Sequence, residues 1–238
     1  MLDIGLREHN MINLDALKKD KFIEALGCSL SVKDGDDNKI AKLVPIGNWA
    51  LYDSELLSSF AAWRQTFMRF FLTQFTASKE STSGYLQKLS IGQSNRIFFG
   101  IYVDDVLVGH IGLSNITHSN AELDNIIRGV SGGHADLMYY SEKTLLEWAF
   151  TKLSLKTIDA QVMSKNFMAL SLHERFSFKL RERHNLKKVK NESSICYEVC
   201  DKEVATEKFF LDIIELSKED FVIATKANLS RKNEWMVR

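Results

Sequence analysis

The chain has 238 residues, with 31 Lys and Arg against 31 Asp and Glu, so its formal net charge is zero. Apolar residues make up 45% and charged residues 26%, ordinary values for a globular chain long enough to bury a full core. Neutrality argues against a broad nucleic-acid-binding face, the 11% aromatic content against disorder, and the lone proline, Pro45, against Pro-rich linkers.

No uninterrupted apolar run approaches the ~20 residues that span a bilayer. The opening segment from Met1 to His9 lacks the basic and apolar blocks of a secretion signal. The cysteines, Cys28, Cys196 and Cys200, are too few for a disulfide framework. A cytoplasmic chain without membrane association is the expectation.

Asn13 is placed to cap a helix from Leu14 to Leu26, which Gly27 stops. Cys28 to Val32 and Lys39 to Ile46 read as two strands around Asp34-Gly-Asp-Asp-Asn38. That acidic run lacks the spacing and closing Glu of a calcium loop and reads as a hairpin turn. Leu57, Phe60, Ala61, Phe67 and Phe71 recur at three- and four-residue spacing, which predicts a helix over Ser54–Phe71. Ser78 caps a second helix running to Leu89.

The clearest β region follows. Arg96–Val103 and Val106–Ser114 form a hairpin across Asp104-Asp105, and Asn120–Arg128 is a third strand. A glycine-bearing loop, Gly129-Val-Ser-Gly-Gly-His-Ala135, leads into a long helix ending near Leu153. Strand Thr157–Met163, helix Phe167–Glu174, and strands Lys179–Val189 and Ser194–Cys200 come next. The tail reads as helical over Ala205–Leu216 and again over Lys218–Leu229. The whole is a mixed α/β (α+β) pattern with a central antiparallel part.

The loop after the third strand is the segment that bears chemistry. Glycines let backbone N–H groups crowd a phosphate, and the helix N-terminus adds about half a positive charge. There is no G-x-G-x-x-G after a first strand and no Gly-Lys-Ser/Thr, so neither a Rossmann fingerprint nor a P-loop is present. Directly after a later strand comes Asn166-Phe-Met-Ala-Leu-Ser-Leu-His-Glu-Arg-Phe-Ser-Phe178.

With these two motifs the stretch from about Lys39 to Cys200 resembles the GNAT-fold, acyl-CoA-dependent N-acyltransferases. The family's phosphate loop, Gly-x-Gly-x-Ala with Arg upstream, has its counterpart in Ser131-Gly132-Gly133-His134-Ala135 after Arg128-Gly129. Its later motif, Asn-x-x-Ser/Ala-x-x-x-Tyr-Glu-Lys-x-Gly-Phe, has its counterpart in Asn166, Ala169, His173, Glu174, Arg175, Ser177 and Phe178. Ser131 replaces a glycine, as Ser177 does, and His173 stands where many members place the tyrosine credited with protonating the leaving thiolate.

The resemblance implies a mostly antiparallel sheet, splayed at the cofactor site and flanked by helices, over residues 39–200. Residues 1–38 and a helical 201–238 would be extensions that shape the acceptor site or a homodimer contact. It also implies acyl transfer from acetyl-CoA, or another acyl-CoA, to a small-molecule amine, with no metal, nucleic acid or membrane. Backbone groups of Ser131–Ala135 would hold the pyrophosphate, and Ile126, Ile127 and Val130 would pair with the pantetheine arm. An N–H near Ile127 would be the oxyanion donor. Asn166, Ala169, His173 and Arg175 would reach the cofactor from the other side.

For the catalytic base, strand alternation puts Glu122 and Asp124 on one face, with His110 on the neighbouring strand as a rival. Arg64, Phe67, Phe71 and Tyr85 are candidates for the acceptor site. The wording of Glu122–Gly129 resembles GNAT proteins of bacterial surface-polysaccharide pathways, which act on nucleotide-linked amino sugars. Protein N-termini, antibiotics and polyamines are alternative acceptors, and a catalytically inactive CoA-binding module is the alternative of another class. Lys179–Lys190, rich in Lys and Arg, reads as a solvated edge strand, or else as a phosphate contact. Cys196 and Cys200 read as a buried thiol pair, since zinc would need two more ligands nearby.

Overall fold

The run Ile97-Phe-Phe-Gly-Ile-Tyr-Val103 carries β-branched or aromatic residues at nearly every position, which suits a strand covered on both faces. The computed structural model describes residues 13–236 and places this run as β4 in a ten-stranded sheet. The other strands are β1 (Leu30–Lys33), β2 (Lys39–Pro45), β3 (Thr73–Phe75), β5 (Val106–Ser114) and β6 (Asn120–Arg128). They continue as β7 (Thr157–Met163), β8 (Lys179–Lys190), β9 (Ser194–Cys200) and β10 (Leu211–Ser217). Their spatial order is β1-β2-β4-β5-β6-β7-β10-β8-β9-β3, and only β6 and β7 pair in parallel.

Alternation along β4 divides the core. Ile97, Phe99 and Ile101 pack with Leu145, Ala149 and Phe150 of α4 (Leu137–Lys152). Phe98 and Tyr102 face the other way, toward Leu57, Phe60 and Trp63 of α2 (Ser54–Phe67). The Asp53 carboxylate caps α2 by accepting from the N–H groups of Glu55 and Leu56, a contact worth about 1 kcal/mol. A Ser78–Ser81 capping box starts α3 (Lys79–Tyr85), which runs on into a π-helical turn over Leu86–Ile91. α5 (Phe167–Glu174) and α6 (Lys218–Met236) complete the helices beside α1 (Phe22–Gly27). Among the described residues, no helix is long and apolar enough to cross a membrane.

Several expectations are corrected. The helix expected over Leu14–Leu26 is broken into a 3-10 turn at Leu14–Leu17 and α1. Between them Lys18 is buried, its ammonium spent on Asp15 and the carbonyls of Ile91 and Gln93. The helix expected to Phe71 ends at Phe67, because the chain then forms β3 and pairs with β9. Cys196 and Cys200 are half-buried, free thiols on β9.

The largest correction is in the tail. Leu211–Ser217, expected within a helix, is strand β10, antiparallel to both β7 and β8. Its Asp212 is only 3% exposed yet accepts two hydrogen bonds from Arg183, at 2.7 and 2.8 Å. β8 lies between two strands, its first half pairing with β10 and its second half with β9, so each half keeps one side unpaired. Its cations face carboxylates: Lys179 meets Asp220 at 2.7 Å, Arg181 meets Glu215 at 3.2 Å, and Lys187 meets Glu198 at 3.1 Å. The sheet thus runs across the boundaries expected at 38/39 and 200/201.

β10 fills a central slot, so its loss would expose two unpaired edges, on β7 and β8. A chain ending at Asp201 is expected to lose cooperative thermal unfolding, read by circular dichroism against the full chain.

Candidate active site

The site begins where two strands part. β6 and β7 pair only over Asn120–Leu123 against Thr157–Ala160. Just beyond, β6 bulges: His110 of β5 faces Ile127, while Gly112 faces Asp124. Asn125 sits in the bulge at φ +54°, the left-handed region that Asn tolerates better than most residues. Its carbonyl lies 2.6 Å from His110 Nδ1. A carbonyl only accepts, so Nδ1 carries the proton and donates. A cavity of about 710 Å³ occupies the opened space, and Ile126 and Ile127 line it.

At one end of the cavity lies the glycine loop. Arg128 and Ala135, which flank the segment from Gly129 to His134, line the cavity. The Arg128 guanidinium donates to the carbonyls of Val130, Gly132 and Ala135 and so curls the loop. Gly132 and Gly133 have φ of +111° and +71°, whereas Ser131 keeps a conformation open to any residue. Among the described residues, no hydrogen bond takes the N–H of Ser131, Gly132, Gly133, His134 or Ala135. These free donors stand at the positive end of α4, whose entry is shaped by His134 Nδ1 accepting from the Asp136 N–H at 3.0 Å. Gly129 has a separate reason to be glycine: a Cβ there would lie 1.9 Å from the Trp63 ring.

α5 forms the opposite wall. The Asn166 side chain caps it, accepting from the Ala169 N–H at 3.3 Å, so Asn166 holds the helix as well as lining the cavity. Ala169 and His173 line the cavity from the same helix. His173 is nearly fully buried, with Nδ1 2.8 Å from Glu142 Oε1 of α4. Arg175 also borders the cavity, pairing with Asp136 at 2.7 Å over the Tyr139 ring.

The far end is polar and aromatic. Glu122 and Asp124 both line it, as alternation on β6 requires. Glu122 accepts from Asn115 at 2.9 Å and Gln161 at 3.3 Å, and burial holds its carboxyl above the usual glutamate range. Asp124 is committed to Arg96 at 2.9 Å and to the Asn125 amide at 2.7 Å. The same amide donates to the Tyr85 hydroxyl at 2.7 Å. Burial and then Asp124 push the Tyr85 phenol up. His110, packed against Phe60 and Phe98, is pushed down to about 4 by burial and is neutral near pH 7.

Arg64 completes this end. It stacks 3.3 Å above the Phe71 ring and donates to the Thr73 carbonyl at 3.1 Å, while its buried Nε has no partner among the described residues. Burial lowers the guanidinium to about 10. Phe67 and Phe71 line the cavity beside it. Arg96, Asn115, Asn125, Gln161 and Glu142 were not legible as site residues. Only Asn125 lies in a stretch singled out by its wording, Glu122–Gly129, and each acquires its role through partners that the fold brings to it.

A family model described as an acetyltransferase (GNAT) domain matches residues 46–179, more than half of the chain. No curated protein matches the chain in sequence. Among solved structures, spermidine N-acetyltransferase from Vibrio cholerae, in complex with CoA and spermine, is similar with a TM-score of 0.58 at 16% identity, covering 78% of this chain and 99% of that one. A GNAT-family acetyltransferase from Bacillus anthracis has a TM-score of 0.56 at 12% identity, covering 80% of this chain and 99% of that one. At such identities the likeness shows the fold, while the matched model, the splayed sheet and the donor-lined loop concern the family. The chain belongs to the GNAT family and is an acyl-CoA-dependent N-acetyltransferase.

Proposed function

We propose that the chain acetylates the amino group of a nucleotide-linked amino sugar, as in surface-polysaccharide synthesis, in the cytoplasm. One observation carries the reading. A single cavity extends from Arg128 and Ala135, at the two ends of the loop of free N–H groups, to a pair of carboxylates, with an aromatic-stacked cation beside them.

The loop fits a pyrophosphate, because five adjacent N–H groups lack internal partners and no lysine is needed to attract the anion. Arg128 and Gly129 shape that loop, and the backbone of Ile126 and Ile127 offers the pantetheine arm an edge for strand-like pairing, whereas Val130 spends its N–H on the Val108 carbonyl and its own carbonyl on Arg128. Bound acetyl-CoA supplies an activated thioester. A backbone N–H near Ile127 polarises its carbonyl.

Glu122 takes the amine proton, directly or through one water. Asp124 is the weaker candidate, because Arg96 and Asn125 already hold its carboxylate. His110 accepts protons poorly at neutral pH and spends its Nδ1–H on the bulge. It therefore positions Asn125 and does not serve as the base. His173 borders the cleft where the thiolate leaves.

Arg64 supports an anionic acceptor. Its guanidinium lines the cavity, and its charge and aromatic stacking suit a diphosphate or carboxylate, with Phe67 and Phe71 covering a sugar or base face. Because Arg96 is already paired with Asp124, Arg64 is the cation that distinguishes an anionic acceptor from a polyamine.

Thiol release from acetyl-CoA is expected to be faster with UDP-glucosamine than with spermidine or a free peptide N-terminus. A preference for spermidine would overturn the acceptor assignment. Acetyl-CoA is expected to raise the melting temperature, and no shift at millimolar ligand would remove the transferase reading. Glu122→Gln is expected to lower kcat by roughly 100-fold. Because Glu122 works ionised and its pKa is raised, wild-type kcat falls as pH drops through a value above the ordinary glutamate range. The Gln variant lacks that limb. Gly129→Ala forces the Trp63 ring aside and is expected to weaken acetyl-CoA binding by about tenfold, read by calorimetry.

A further inference from the structure

Beneath the cleft, the His173–Glu142 pair joins α5 to α4. Its side chains are 3% and 0% exposed, with His173 Nδ1 2.8 Å from Glu142 Oε1. The second carboxylate oxygen, Oε2, has no hydrogen-bond partner among the described residues. The imidazole is therefore the only hydrogen-bonding group given to this carboxylate. Such a pair is a poor way to fasten two helices. Taking both groups out of water costs more than a well-packed apolar contact of the same volume, so stability alone does not account for it.

The position of the ring suggests a use. His173 lines the cavity from the same face of α5 as Asn166 and Ala169. With Nδ1 turned to Glu142, the ring's other nitrogen, Nε2, is the one left for the cleft. A carboxylate behind Nδ1 accepts that N–H and fixes the orientation of the ring, as in other carboxylate–histidine pairs, so a ring carrying both protons presents Nε2–H to the cleft.

We propose that Glu142 is a positioning residue that makes His173 the proton donor to the departing CoA sulfur. This rests on the transferase reading above and adds Glu142 to it. The step balances. The amine nitrogen bonds to the acyl carbon and gives one proton to Glu122. As the carbon–sulfur bond breaks, its electron pair stays on sulfur, and His173 Nε2–H passes a proton to that sulfur. The ring keeps its Nδ1–H toward Glu142 and regains the Nε2 proton from solvent, while Glu122 releases its own.

The test uses the full chain, acetyl-CoA and UDP-glucosamine. Glu142→Gln keeps an oxygen to accept from Nδ1 but removes the charge. It is expected to lower kcat at least tenfold while the KM for acetyl-CoA and its calorimetric Kd change less than twofold. His173→Ala is expected to lower kcat about 100-fold. The double variant should be no slower than His173→Ala, because the carboxylate acts only through the ring. Losses that multiply, or a wild-type kcat in Glu142→Gln, would overturn the proposal.

A readout independent of turnover is the imidazole ¹H–¹⁵N spectrum. A far-downfield Nδ1–H of His173 is expected in the wild type, moved upfield in Glu142→Gln. A ring protonated on Nε2 alone would also overturn the proposal. Should the single variants fold poorly, Glu142→Met with His173→Leu leaves no orphaned polar group. That double variant is expected to melt cooperatively, bind acetyl-CoA and turn over about 100-fold slower, and a wild-type rate would leave the pair a purely structural role. A wild-type chain that releases no thiol with any amine would instead overturn the transferase reading itself.

Discussion

Everything in the site follows from the separation of β6 and β7 after Leu123. A fully paired parallel ladder would spend its backbone donors and acceptors internally and close the space between the strands. The bulge at Asn125 prevents this. A left-handed residue costs about 1 kcal/mol, even for asparagine. The hydrogen bonds from His110 to its carbonyl and from its amide to Asp124 and Tyr85 offset that at about 1 kcal/mol each. One residue thus opens the cleft and arranges the polar groups at its far end.

The electrostatics follow a division of labour. Along β8, carboxylates on β7, β9, β10 and α6 pair with Lys179, Arg181, Arg183 and Lys187. The phosphate site proposed at the glycine loop relies on backbone dipoles and a helix terminus instead. Such donors are fixed in place and need little reorganisation when an anion arrives. A neutral chain can therefore hold a strongly anionic ligand, and zero net charge says little about this function.

The β8–β9 hairpin adds a second structural layer. β9 pairs with β3 through Thr73, Gln74 and Phe75, and the Tyr197 N–H donates to the Leu72 carbonyl. Leu72, Thr73 and Phe75 all line the cavity, and Thr73 also receives Arg64. The aromatic end of the cavity is thus walled by a segment held in register from the other end of the sheet. Its rigidity is inherited from backbone pairing more than from the aromatic side chains that first mark it in the sequence.

Most of the architecture was legible because local patterns reported local environments. β4 through β7, α5 and the glycine loop lie where alternation, turn residues and caps put them, and the loop with the Asn166 motif was enough to suggest the family. Tertiary structure decided the rest. β10 was hidden because its buried Asp212 is acceptable only opposite Arg183, 29 residues away in the chain. β3 is three residues long and exists only through its pairing with β9. The environments that leave His110 neutral, Glu122 raised and Glu142 facing His173 arise from burial among distant residues. Sequence periodicity records which way a side chain points. What it meets there depends on long-range packing, and that packing alone turned a recognisable fold into a particular site.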